Sequence, residues 1–106
     1  MTEFVGLRTR LKPGTEQAYK EAHDAISAEL LQAQRAAGIK RWVIYRDGLD
    51  LFHSVEAEDF DAAIAKLAED PVDVRWQAAM AQFAVPLENE ERPASTRLEL
   101  VYNRVP

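Results

Sequence analysis

The chain has 106 residues, of which 47% are hydrophobic and 29% are charged, and its formal net charge is −5. These values are typical of a single globular domain, which we assign to residues 1–106. Lys and Arg are scattered through the chain, which argues against a nucleic-acid partner, and the absence of cysteine excludes disulfides, thiolate zinc sites and cysteine nucleophiles.

The beginning of the chain predicts a strand, a turn and a long helix. Residues 3–11 alternate in polarity, as in a half-buried strand, and residues 12–14 (Lys-Pro-Gly) form a turn signal. Thr15 is the expected N-cap of a helix that runs to Ala37 and ends at Gly38. Because no segment is long and apolar enough to be a leader or a membrane span, we expect a cytoplasmic protein without a membrane partner.

One stripe of this helix combines apolar and titratable side chains. Its apolar and aromatic positions recur every three or four residues, at Tyr19, Ile26, Leu30, Ala33 and Ala37. His23 falls on the same stripe, one turn from Tyr19. A phenol and an imidazole on a packing face are either satisfied polar groups of the core or the lining of a pocket.

The rest of the chain predicts three more strands and further helical structure. Strands are expected over residues 40–46, 51–56 and 96–102, the first two forming a hairpin; helical spacing covers residues 60–67 and 72–83, and a polar loop covers residues 86–93. This order predicts an α+β domain with the ferredoxin-like βαββαβ pattern and an antiparallel sheet. Helices would cover one face of that sheet, and we expect a homodimer to cover the other.

His23 is the best candidate for acid–base chemistry, because an imidazole exchanges protons near neutral pH. Trp76 is flanked by Arg75 and Gln77, and a flat apolar wall beside hydrogen-bond donors suits a sugar. A tryptophan at helical spacing with Val72 and Met80 is more often part of the core than a platform for a ligand.

The second predicted strand carries Trp42 and Tyr45 on opposite sides, so only one of them can face the helices. His53, on the third strand, has no cluster of carboxylates at metal-ligand spacing. We therefore expect no metal site.

An ordered set of segments along nearly the whole chain resembles the L-rhamnose mutarotase family. The segments are Tyr19-x-x-x-His23, Ala28-Glu29-Leu30, Gly38 with Trp42-Val-Ile-Tyr45, Leu51-Phe52 through Val55-Glu56, Arg75-Trp76 followed by Met80, and Glu99 through Tyr102. The resemblance implies a dimeric ferredoxin-like α+β barrel that interconverts the α and β anomers of a six-carbon deoxysugar without a cofactor.

The resemblance also implies roles for particular residues. It makes His23 the proton donor and places Tyr19, Trp42, Trp76 and Gln77 at substrate-binding positions. Several of these positions depart from the family pattern: Gln77 replaces the second tryptophan of a pair, Trp42 replaces a sugar-binding tyrosine, Ser27-Ala28 replaces Trp-Pro, and His53 replaces a small residue. We expect these departures to change the preferred sugar more than the chemistry.

The implied mechanism is opening and reclosure of the sugar ring. His23 would protonate the ring oxygen while a second group removes the anomeric hydroxyl proton, and Trp76 would stack on the sugar. Water, Tyr19, His53 and a carboxylate all remain candidates for the second group. Two alternative functions also remain: another dimeric barrel enzyme, of the cofactor-free or haem-linked monooxygenase type, and a non-catalytic module that binds a small ligand.

Overall fold

The computed structural model describes residues 2–85 and 95–106, so the predicted loop over residues 86–93 lies outside the described residues. The elements follow in the predicted order: β1 (Glu3–Arg10), α1 (Glu16–Asp24), α2 (Ala28–Ala37), β2 (Ile39–Asp47), β3 (Asp50–Ala57), α3 (Phe60–Ala68), α4 (Pro71–Ala81) and β4 (Thr96–Leu98). Across the described ranges, none of these helices has the length and apolar character needed to cross a bilayer.

The four strands form one antiparallel sheet in the order β2-β3-β1-β4. β2 and β3 make the predicted hairpin, in which Asp47 pairs with Asp50. Gly48 in its turn has a φ of 61°, a conformation that favours glycine. The strand order and the helical connections are those of a ferredoxin-like domain, so the predicted α+β class is confirmed.

The prediction of one continuous helix up to Ala37 is wrong, because the helix is broken between Asp24 and Ala28. Ser27 is the N-cap of α2, and its hydroxyl accepts a hydrogen bond from the backbone N–H of Leu30 at 3.1 Å. A serine that caps a new helix competes with continuation of the old one. The apolar stripe nevertheless runs across the break, which is why its spacing suggested a single helix.

The predicted start of α1 is correct in place but not in mechanism. Thr15 occupies the N-cap position without capping the helix through its side chain. Its hydroxyl instead lies 2.8 Å from the carbonyl oxygen of Lys12 and 3.1 Å from that of Phe83, and its single hydrogen is shared between these two acceptors. This second bond ties the start of α1 to the segment that follows α4.

The last strand is shorter than the predicted range of 96–102. β4 ends at Leu98, because its partners on β1 are limited to Gly6, Leu7 and Arg8. The segment after it is exposed, and Tyr102 retains 77% of its accessible surface. Alternating polarity therefore continued beyond the residues that have a strand partner within this chain.

The hydrophobic core lies between one face of the sheet and helices α2 and α3. Val5 and Val55 oppose each other across β1 and β3, and α3 contributes Phe60 and Ala63. Helix α1, all of whose residues are described, fully buries none of them, and Tyr19 and His23 are half-buried. The core is therefore formed largely without the helix that carries Tyr19 and His23.

Apolar side chains remain exposed on the opposite face of the sheet, which no described helix covers. They include Phe4, Tyr45, Phe52 and Leu98. Tyr45 is 66% exposed on this face, whereas Trp42 packs against the core, so the two aromatic residues of β2 face opposite sides as predicted. Exposed apolar sheet surface is typical of interfaces between protein chains.

Candidate functional site

Four rings from two separate parts of the chain form an aromatic cluster, which we define as Tyr19, His23, Trp76 and Phe83. The rings of Tyr19 and His23 lie one turn apart on α1, with their centroids 4.2 Å apart. His23 meets Trp76 of α4 edge to face at 5.0 Å, and Tyr19 meets Phe83 in the same manner at 6.4 Å. The structure thus brings together three of the predicted site residues and adds Phe83.

The surroundings of His23 fix which ring nitrogen is available for chemistry. Its Nδ1 lies 2.9 Å from the carbonyl oxygen of Tyr19. A carbonyl oxygen can only accept a hydrogen bond, so Nδ1 carries the hydrogen in the uncharged ring and Nε2 carries the lone pair. Nε2 is therefore the atom through which His23 can take up and release a proton.

The phenol of Tyr19 is a hydrogen-bond donor rather than a base. Burial raises the pKa of Tyr19 to about 12, because the phenolate would lose its hydration. The hydroxyl is accordingly protonated at neutral pH and can donate to a ligand oxygen. This property argues against Tyr19 as the second proton-transfer group.

His53 lies between two polar side chains on the helix-covered face of the sheet. The indole Nε1–H of Trp42 donates to Nδ1 of His53 at 3.0 Å. Because Nδ1 accepts this bond, Nε2 carries the hydrogen and donates to Oγ1 of Thr9 at 2.9 Å. Both ring nitrogens of His53 are therefore occupied, in contrast to Nε2 of His23.

The pKa of His53 is lowered to about 4. Burial is the larger cause, since it disfavours the charged imidazole, and repulsion from a charged His23 is the second. An imidazole with this pKa is uncharged at neutral pH. Its occupied nitrogens and its low pKa both argue against His53 as a proton acceptor or donor in the site.

Sequence reasoning missed the part played by Thr9. The signal was present, because Thr9 is a polar residue on the strand face that also carries Val5 and Leu7. Its partner could not be identified without the register between β1 and β3, in which Thr9 is the diagonal neighbour of His53.

Gln77 does not join the aromatic cluster. It is exposed on α4, and its side chain hydrogen-bonds the carboxyl group of Asp73 one turn earlier. Burial raises the pKa of Asp73, and the bond from Gln77 opposes that rise. Within the described residues, Gln77 therefore has a structural contact, and its predicted role in binding a substrate stays a prediction.

Trp76 also borders an open groove of about 370 Å³ between α4 and the start of α2. Glu29 and Arg75 line the same groove and place one carboxylate and one guanidinium beside the indole. Trp76 thus connects the aromatic cluster with a polar rim. This combination of a flat apolar surface and charged hydrogen-bonding groups is suited to a polyhydroxylated ligand.

The low pKa of His53 predicts a loss of stability in acid. The unfolded chain binds a proton at His53 near the usual pKa of 6.5, but the folded chain binds it only near 4, so stability falls as the pH drops between these values. Between pH 7 and pH 5 we expect the wild type to lose about 2 kcal/mol of unfolding free energy relative to His53→Gln. Urea denaturation at both pH values measures the difference, and an equal loss in the two proteins would contradict the prediction.

The described residues contain no group of three or more His, Asp or Glu side chains that could hold a metal ion. Every buried side-chain nitrogen or oxygen in the same ranges has a hydrogen-bond partner.

Comparisons with known proteins agree on one family. The family model described as L-rhamnose mutarotase matches residues 5–104. The L-rhamnose mutarotase of Burkholderia orbicola (strain MC0-3) is 37% identical over 102 residues, which cover 95% of this chain and 97% of that protein. The crystal structure of an L-rhamnose mutarotase from Formosa agariphila matches with a TM-score of 0.83 at 27% identity and covers 97% of this chain and 99% of that one.

A more distant structural match shows the fold alone. A putative antibiotic biosynthesis monooxygenase from Nitrosomonas europaea has a TM-score of 0.60 at 18% identity, and the match covers 96% of this chain and 100% of that one. Shared architecture at this level of identity carries no argument about chemistry.

Proposed function

The chain belongs to the L-rhamnose mutarotase family, and we propose that it interconverts the α and β anomers of L-rhamnose or a related deoxysugar. It is therefore an isomerase that acts on a carbohydrate. The observation that supports this function most directly is the state of His23, whose Nδ1–H is tied to a backbone carbonyl while Nε2 is left for proton exchange. This arrangement is the one that a general acid–base residue requires.

In the proposed reaction, His23 exchanges protons with the ring oxygen of the sugar. The charged imidazole donates its Nε2 proton to that oxygen as the C1–O5 bond breaks, and a base takes the proton of the anomeric hydroxyl, which leaves an open-chain aldehyde. Rotation about C1–C2 exposes the other face of the carbonyl. Closure then reverses the two proton transfers, with His23 as the base, and gives the opposite anomer.

The base that receives the anomeric proton is a water molecule or a carboxylate in this proposal. Tyr19 is disfavoured because its pKa of about 12 keeps the phenol protonated, and His53 because both of its nitrogens are occupied. Glu29 is the carboxylate that shares a groove with Trp76, which makes it the candidate within the described residues.

The sugar-binding roles are proposed from the same contacts. Trp76 would stack on the apolar face of the pyranose, since its indole ring lies edge to face against the imidazole of His23. Tyr19 would donate to a sugar hydroxyl, and Trp42 would form part of the wall beside His53. Gln77 would bind the sugar only if it released Asp73, so we assign it to the rim.

We also propose that the chain, a single domain over residues 1–106, acts as a cytoplasmic homodimer. The exposed apolar sheet face with Phe4, Phe52 and Leu98, together with the exposed segment around Tyr102, supports pairing with a second copy. Exclusion of this surface from water would be the main driving force.

The proposed function is tested by NMR exchange measurements on the anomeric protons of L-rhamnose, L-fucose, L-lyxose and D-galactose. We expect catalytic amounts of protein to accelerate exchange in L-rhamnose or in one close relative, with a smaller effect on the other sugars. The Glu21→Gln variant, altered at an exposed residue outside the aromatic cluster and the groove, is the control and should retain this activity. Folded protein that accelerates exchange in none of the four sugars would favour the binding module or another barrel enzyme.

A further inference from the structure

Three side chains on three neighbouring strands form one hydrogen-bonded chain, which we call the Trp42–His53–Thr9 relay. Trp42 on β2 is a diagonal neighbour of His53 on β3, and Thr9 on β1 is a diagonal neighbour on its other side. The bonds run in one direction, from the indole N–H to Nδ1 of His53 and from Nε2–H of His53 to the hydroxyl of Thr9. The relay lies on the face of the sheet that carries the core, and His53 is close enough to His23 for the charge of His23 to act on it.

We infer that Trp42 is a positioning residue whose hydrogen bond to Nδ1 keeps His53 uncharged. His53 then only lines the site, and His23 is the one imidazole there that exchanges protons. The inference deepens the proposed function and rests on it for its catalytic meaning. In this inference, His53 is an uncharged lining residue and neither an acid–base residue nor a metal ligand.

The physical basis is the donor and acceptor inventory of the two rings. Indole N–H is a donor and never an acceptor, whereas a charged imidazole carries hydrogen on both nitrogens. Protonation of His53 at Nδ1 would therefore set two N–H groups against each other in a part-buried position. Loss of that bond and exposure of an unsatisfied donor both oppose the charged form.

The other contacts of His53 do not offset this opposition. Thr9 accepts from Nε2 in both states, and although a charged ring donates more strongly, this one neutral hydroxyl does not replace the bond that protonation removes at Nδ1. Among the described residues, the charged group that acts on His53 is His23, and its positive charge repels a second one. No described carboxylate stabilises a charged His53.

The consequence for the site concerns its total charge. A single imidazolium at His23 is attracted to the oxygen lone pairs of the sugar and gives up its proton when the ring oxygen needs it. A second imidazolium at His53 would repel it and make it harder to recharge His23 between turnovers. The relay keeps His53 uncharged and so prevents this repulsion, while a polar residue still lines the site.

The first test follows the ring protons of the two histidines in the apo protein as a function of pH. The His53→Gln variant assigns the signals, since the chain contains only two histidines. In the wild type, we expect the His53 signal to stay constant from pH 8 to pH 5.5 and to reach its midpoint near pH 4. In Trp42→Phe, which removes the N–H but keeps an aromatic ring, we expect its midpoint to rise by about one pH unit or more.

A second measurement on the unaltered protein does not depend on the folding of any variant. Long-range ¹H–¹⁵N spectra at pH 6 distinguish protonated from unprotonated ring nitrogens, and we expect His53 to carry hydrogen on Nε2 alone. Hydrogen on Nδ1, or an unchanged midpoint in Trp42→Phe, would overturn the inference. Both measurements are made without sugar, so they remain decisive even if the proposed mutarotase activity fails.

The catalytic consequence is tested by the pH dependence of kcat/KM for the preferred sugar. We expect Trp42→Phe to gain one additional ionisation on the acid side, and Trp42→Phe/His53→Gln to lose it again because no second imidazole is present. Thr9→Val, which leaves the indole bond intact, should show no additional ionisation. If the double variant kept the additional ionisation, the effect would come from the altered wall and not from a charge on His53.

Discussion

Replacement of His23 by Gln is expected to lower kcat for anomer exchange by about 10²- to 10⁴-fold, the range typical of removing a general acid–base residue. Glutamine preserves polarity at this position but cannot hold an exchangeable charge between the two half-reactions. The unfolding free energy should change by about 1 kcal/mol or less, because His23 is half-buried and α1 contributes no fully buried residue. Anomeric exchange NMR at saturating sugar measures kcat, and urea denaturation measures stability.

The matched control for this experiment is Glu21→Gln on the same helix. Glu21 is exposed, accepts a hydrogen bond from Gln17 and belongs to neither the aromatic cluster nor the groove. Its replacement should leave kcat within about twofold of the wild type, since exposed pairs of this kind contribute little. A His23→Gln protein that keeps most of its activity would show that another group protonates the sugar, and Glu29 would then be the next residue to replace.

The largest expected loss of stability comes from Leu30→Ala. Leu30 is 1% exposed at the start of α2, and its truncation leaves a cavity between α2 and its neighbours. We expect a loss of about 2–5 kcal/mol of unfolding free energy from the lost transfer energy and the cavity together. Chemical denaturation of the wild type and the variant gives the difference directly.

The adjacent residue provides an unusually close control. Leu31 lies on the same helix and has the same side chain, but it is 47% exposed. Leu31→Ala has the same change in chemistry and a slightly favourable change in helix propensity, so its effect should stay within about 0.5 kcal/mol. Similar losses in the two variants would mean that α2 is not packed through Leu30.

Most of the fold could be predicted from periodicity and turn chemistry. The alternation in β1, the hairpin around Gly48 and the helical spacing on either side of Pro71 each depend on contacts that are local in sequence. The strand order then followed from the order of the elements. The limits of the elements were less accurate, because the end of β4 depends on where β1 stops offering partners.

The break between α1 and α2 shows why periodicity alone was insufficient. The stripe from Tyr19 to Ala37 has helical spacing on both sides of Ser27, and a short kink hardly changes that spacing. Ser27 was not considered as a helix start in the prediction, and the structure shows that its hydroxyl caps α2.

The candidate site was predictable only in part for a related reason. Tyr19 and His23 are one turn apart in sequence, so their proximity is a local property of the helix. The contacts of Trp76 with His23 and of Thr9 with His53 join residues that are distant in sequence and depend on the sheet register and helix packing. Gln77 shows that neighbours in sequence need not share contacts, because it lies on another side of α4 from Trp76 and bonds Asp73, and its predicted role at the substrate stays a prediction.

The separation of α1 from the core has a consequence for how this protein can evolve. Substitutions in a buried element are filtered by their cost in stability, and most proteins have little stability to spare. Helix α1 carries Tyr19 and His23 half-buried and contributes no fully buried residue, so changes on its exposed side are nearly neutral for folding. If His23 exchanges protons with the sugar as proposed, new contacts can accumulate around it without compensating changes in the core, and related chains can diverge in preferred sugar while retaining their fold.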